Sequence, residues 1–83
     1  MITVDDVLAC LSSGDGVYLV WNHHWRPGRT QEFGHEVRVL NIGDTLTIDA
    51  SAAFMDGYGY KVKLEDVTGV LPLGTALERG LIR

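Results

Sequence analysis

The chain is short of several things, and each shortage excludes something. It has 83 residues and one cysteine, Cys10, so no disulfide can form within it. With neither disulfide nor an evident metal motif, a small domain draws its stability from its core and often from self-association. Only two prolines, Pro27 and Pro72, interrupt it, and no apolar run approaches the roughly 18 residues of a membrane span. Basic residues are also few: seven Lys and Arg stand against eleven Asp and Glu, a net charge of −4. That disfavours non-specific binding to nucleic acid or an anionic membrane, since both need a positive field. The first residues, MITVDDV, lack the basic and apolar regions of a signal peptide. A single free thiol and no leader point to a cytoplasmic protein.

What is present is one domain, residues 1–83. Hydrophobic residues make up 46% of the chain, too many for a disordered segment. The stretch from Asp56 to Leu73, DGYGYKVKLEDVTGVLPL, carries the clearest pattern. Tyr60, Val62 and Leu64 alternate with Lys61 and Lys63, the period of a half-buried strand. Glu65-Asp66-Val67 breaks the alternation in a tight turn. A second strand runs through Val70-Leu71 and stops at Pro72, which lacks a backbone donor.

Thr3 and Asp6 have the spacing of a capping box, followed by an apolar stripe of Val4, Val7, Leu8 and Leu11. This predicts a short helix, ended near Gly14. Val17 to Asn22 reads as a first strand, apolar on both faces and therefore covered on both. Glu36–Ile42 and Thr45–Ala50 read as strands two and three. Gly43-Asp44 between them predicts a type II′ hairpin turn. Its register sets Arg38 opposite Asp49, Val39 opposite Ile48, Val37 opposite Ala50 and Ile42 opposite Thr45. Val37, Val39, Leu46 and Ile48 then face the core, and Leu40 and Ile42 point outward. Ser51 to Gly59 is small and flexible in composition, with Phe54 and Met55 as a candidate apolar plug. Thr75 and Glu78 predict one further helical turn, closed by Gly80.

Five strands behind one helix predict a mainly β domain, a small five-stranded barrel with a possible C-terminal helical turn. From Glu36 to Leu71 the chain resembles the SH3-like and Sm-like small barrels. VRVLNIGDTLTID is similar to the first Sm hairpin, with Gly43, Leu46 and Asp49 in corresponding places. KVKLEDVTGV is similar to the last two strands with their 3₁₀ turn, and a leading helix is a further Sm-like feature. The resemblance implies the fold and ring-like strand pairing. No Asn follows Asp49 and no basic residue precedes Gly69, so no RNA-binding residues are carried over.

His23 to Gly34, HHWRPGRTQEFG, has no clean period and reads as a loop of about a dozen residues, long enough to suggest function. Arg26-Pro27-Gly28-Arg29 within it fits a type II turn. Aromatic residues mixed with cations suit a peptide or an unpaired nucleic-acid strand. The candidate binding residues are Trp25, Arg26, Arg29, His23 and His24, with Tyr58 on the neighbouring rim. The competing structural reading makes Trp21 core and Trp25 a cover for the barrel rim. His23 and His24, adjacent on an extended chain, point to opposite faces and do not chelate one ion together. Nothing calls for a cofactor or a metal. No nucleophile motif, phosphate loop or carboxylate pair marks a catalytic centre, and so small a domain leaves little room for a pocket of about 300 Å³.

The expectation is a non-catalytic interaction protein that binds a protein or peptide partner as a homo-oligomer. A nucleic-acid-binding or transcription-associated small barrel is the second reading. An enzyme or ligand carrier with its site between subunits is the third.

Overall fold

A computed structural model describes residues 1–11, 14, 16–50 and 58–82. The elements run α1 (Val4–Cys10), β1 (Gly16–Arg26), β2 (Arg29–Asn41), β3 (Thr45–Asp49), β4 (Tyr58–Lys63), a 3₁₀ turn (Leu64–Asp66), β5 (Val67–Pro72) and α2 (Leu73–Glu78). The strands form one antiparallel sheet in the order β4-β3-β2-β1-β5. Among the described residues β4 and β5 are its two edges. The expected mainly β architecture is present, with two short helices. Among the described residues the sheet is not hydrogen-bonded into a closed barrel.

α1 starts as its sequence dictates. The Asp6 amide donates to Thr3 Oγ1 at 3.2 Å, and the Thr3 amide donates to Asp6 Oδ2 at 2.8 Å. The Thr3 amide first, and then the Thr3 hydroxyl at 3.0 Å, donate to the Asp6 carboxylate and hold it below its ordinary pKa. Only Val7 of the helix stripe is fully buried, and Leu8 is half exposed. α2 begins directly behind Pro72 with no side-chain cap, so Thr75 lies inside the helix and caps nothing. It ends as expected at Gly80, whose φ of +71° lets Leu81 donate to the Ala76 carbonyl at 2.9 Å and Gly80 to that of Leu77 at 3.1 Å.

The core lies inside the curl of the sheet. Val17, Leu19 and Trp21 from β1 meet Val37 and Val39 from β2, Leu46 and Ile48 from β3, Val62 and Val67. Val7 and Ala76 bring the helices onto it. Lys61 and Lys63 stand in water, and Tyr60 and Leu64 pack at the core margin, as the alternation requires.

Two sequence expectations are corrected by the structure. The register of Arg38 with Asp49 and Val39 with Ile48 holds, but the pairing then slips, so that Asn41 rather than Leu40 faces Thr47. Leu40 is the extra residue of a bulge, and a one-residue slip reverses the facing of the residues beyond it. Ile42 therefore turns inward and packs against the core. The type II′ turn is also absent, because Gly43 does not adopt a positive φ. The second correction concerns His23 to Gly34, which is strand rather than loop: β1 and β2 continue to a two-residue turn at Pro27-Gly28. The candidate plug Phe54-Met55 and the Asp56-Gly57 turn lie outside the described residues.

Candidate functional site

The β1–β2 hairpin outgrows the sheet. Beyond Trp21, paired with Phe33 on one side and Val67 on the other, β1 keeps only β2 as a strand neighbour among the described residues. Asn22, His23 and His24 pair with Glu32, Gln31 and Thr30, and the arm closes through Gly28 at φ +75°. That angle suits the third position of a type II turn, as Arg26-Pro27-Gly28-Arg29 predicts. The distal arm has no apolar alternation because much of it faces water on both sides, so periodicity alone cannot reveal it as strand.

One face of the arm carries an aromatic series. Trp21 lies 6.0 Å from Phe33 and 6.4 Å from His35, and His23 lies 5.5 Å from Phe33 and 5.7 Å from Tyr60, ring centre to ring centre. The Tyr60 hydroxyl is hydrogen-bonded to His23 Nδ1. Burial raises the Tyr60 pKa above its ordinary value, a hydrogen bond with Trp21 opposes the rise, and the Asp66 charge adds to it.

Two polar ties fasten the base of the arm. His24 bridges Thr30 Oγ1, 3.0 Å from Nδ1, and Asp66 Oδ1, 3.0 Å from Nε2. The Thr68 hydroxyl donates to Glu32 Oε2 at 3.2 Å. Hydroxyl, imidazole and carboxylate in series are the parts of a general-base relay. Here the His24 side chain is 56% exposed, and Thr30 stands outside the adjoining cleft. A site this open to water does little to strengthen such a relay.

That cleft, about 400 Å³, opens between the arm, β4 and the 3₁₀ turn. Trp21, His23 and Tyr60 supply ring surface, and Lys61, Lys63, Glu65 and Asp66 supply charge of both signs. It corrects the expectation that the fold is too small for a cavity of this size: the arm's overhang makes an open groove instead of an enclosed pocket.

The structure separates the sequence-predicted site residues into three groups. His23 and His24 line the cleft with different partners, in accord with their opposite facing. Trp25, Arg26 and Arg29 lie further out at the tip. Trp25 is 48% exposed, so it does not cover the core, and the Arg26 guanidinium sits 4.5 Å from its ring centre. Tyr58, at the start of β4, is exposed and does not line the cleft. Sequence reasoning missed Phe33, Thr30, Lys61, Lys63, Glu65 and Asp66 as site residues. Asp66 meets His24 across 42 positions of chain, and no local pattern announces such a contact. Among the described residues no group of three His, Cys, Asp or Glu side chains could hold a metal ion, and no helix is long and apolar enough to cross a membrane. Comparison with family models, with curated proteins and with solved structures finds no match in any of the three.

Proposed function

We propose that the chain is a non-catalytic interaction module that binds an extended protein or peptide segment along the hairpin arm and the cleft beside it. The observation that carries this reading is Trp25, half exposed on a strand whose base is tied down, with Arg26 stacked on it and the cleft one residue away. A large ring left in water on an ordered arm is the usual form of a binding anchor. The cleft sets Glu65 and Asp66 beside Lys61 and Lys63, a mixture of signs that suits a protein ligand better than a polyphosphate strand.

The reading extends to fold and assembly. A strand order of β4-β3-β2-β1-β5, with Tyr60 of β4 touching His23 of β1, supports an SH3-like or Sm-like barrel. Leu8, Leu77 and Leu81, each about half exposed, support self-association as a homo-oligomer.

The test is selection from a phage-displayed random dodecapeptide library, followed by titration of synthetic winners. Peptides should bind the wild type and lose at least tenfold in affinity with Trp25→Ala, while the circular dichroism of that variant stays native. Failure to enrich any sequence, or affinity indifferent to Trp25, overturns the reading.

A further inference from the structure

The strand register places Arg26 directly opposite Arg29 at the end of the arm. Cross-strand partners project from the same face, and like charges in that position repel. Among the described residues neither guanidinium has a carboxylate within 4.0 Å. The nearby acids are engaged lower down, Asp66 by His24 and Glu32 by Thr68. Arg26 is further held on the Trp25 ring, at 4.5 Å. A guanidinium stacked on a ring keeps its in-plane N–H donors free and presents them as a fork. The tip is thus a concentrated positive site on a chain of net charge −4, arranged for a planar anion.

We propose that this tip is a carboxylate clamp, and that the partner segment carries an acidic side chain between Arg26 and Arg29. The proposal rests on the peptide-binding reading above and names the chemistry that the site selects. The rest of the segment is set by the strand. Arg29, Gln31 and Phe33 alternate onto one face, which continues to the rings of His23 and Tyr60. Four residues of strand span about 13 Å. A ligand lying extended along that face therefore carries its acid about four residues from an aromatic or aliphatic one. A nucleic acid also offers anions and rings. Its repeated phosphates would meet a chain of net charge −4 and the carboxylates of Glu65 and Asp66 as well as Lys61 and Lys63 at the cleft, whereas a single carboxylate needs only the two arginines.

Peptide selection, matched variants of peptide and protein, and an oligo(dT) strand test this. In the dodecapeptide selection, enriched sequences should carry Asp or Glu about four residues from Trp, Phe, Tyr or Leu. Synthetic peptides with that acid changed to its amide should bind at least tenfold more weakly, and Arg26→Gln with Arg29→Gln should cause the same loss for the acidic peptide. Arg29→Glu turns a repelling pair into an attracting one, so it should abolish binding and leave the melting temperature unchanged or higher by a few degrees. Binders without an acid, or binders held equally by the double variant, overturn the clamp and leave the peptide reading standing. A selection that yields no binder overturns both. An oligo(dT) strand bound more tightly than any peptide, with a steep salt dependence that vanishes in the double variant, assigns the tip to nucleic acid and overturns the clamp.

Discussion

Tyr60 on β4 is hydrogen-bonded to His23 on β1, although β3 and β2 separate those strands in the sheet. Such a contact requires the sheet to curl until its first strand meets its fourth. The curl does two things at once. It wraps Leu46, Ile48 and Val62 around Leu19 and Trp21, and it makes one wall of the cleft. The residue that helps close the core therefore also shapes the candidate site.

Tyr60→Phe tests that double role. The ring stays and the hydroxyl goes, leaving His23 and the Trp21 indole short of a partner. Loss of a hydrogen-bonding group at a part-buried position costs about 1–3 kcal/mol, and each kcal/mol lowers the melting temperature of a domain this size by roughly 4–8 °C. The pH dependence has a definite sign. The folded-state pKa of Tyr60 is raised, so the stability it gives is complete below the ordinary tyrosine value of 10.0 and is lost as pH rises through the folded value. Wild type and variant should differ most at neutral pH and converge only in strong alkali. Equal melting curves at pH 7 would mean that the hydroxyl does not hold the curl.

The two turns give opposite expectations for glycine. Gly28 has a φ of +75°, where a side chain is strained, and Gly28→Ala should cost about 1 kcal/mol. Gly43 has no positive φ, and a Cβ there would come no closer than 3.9 Å to the Thr45 carbonyl. Gly43→Ala should stay within about 0.5 kcal/mol of wild type. Chemical denaturation of both variants in parallel decides the matter. A large loss at Gly43 would restore the II′ turn that its sequence suggests.

That contrast shows where the sequence is legible. Lys61 and Lys63 alternate with Tyr60 and Val62 because β4 has one wet face and one dry face, and the pattern survives into the structure. Arg38 with Asp49 and Val39 with Ile48 pair as the Gly43-Asp44 hairpin sets them, although the turn itself is not type II′. The bulge at Leu40 is invisible because a slip of one residue leaves no mark on composition, only on facing. The arm from Asn22 to Glu32 is invisible as strand for a different reason: it lies beyond the core and has little apolar periodicity to show. Its residue types still mark it as a surface, so Trp25, Arg26 and Arg29 can be picked out while their geometry cannot. The cleft is harder still, since it joins His24 to Asp66 and His23 to Tyr60 only after the sheet has curled.

The N-terminal capping box should report on pH. Thr3→Ala removes the cap of α1 and should cost about 1 kcal/mol. Asp6 titrates below its ordinary value of 3.8, so its contribution is present above that value and disappears as pH falls through the lower folded value. Asp6→Asn should therefore be less stable than wild type at pH 7, with the gap closing as pH falls below the ordinary value of 3.8. Thermal melts across that range measure it. A gap that persists unchanged in acid would show that the carboxylate is not the group that matters.

The last expectation concerns self-association, and the structure moves its location. Ile42 packs inward and Leu40 is half-buried, so neither offers the outward apolar surface that the sequence suggests. Exposure falls instead on Leu77 of α2 at 57% and on Leu81, four residues on and beyond the helix, at 46%. Full burial of such a side chain contributes about 1.5–3 kcal/mol, and roughly half of each is still in water. Two copies meeting there would bury four of these residues, enough to offset part of an association cost that is itself several kcal/mol. A weak, symmetric contact is the form such a patch takes most readily. The wild type should therefore sediment as a dimer or higher species in the tens of micromolar and dissociate on dilution. Leu77→Glu with Leu81→Glu should sediment as a monomer at every concentration and melt within a few degrees of the diluted wild type, because neither side chain belongs to the core. A wild type that is monomeric throughout ends the homo-oligomer reading. A double variant that still associates moves the contact to Leu8 on α1, which is 52% exposed.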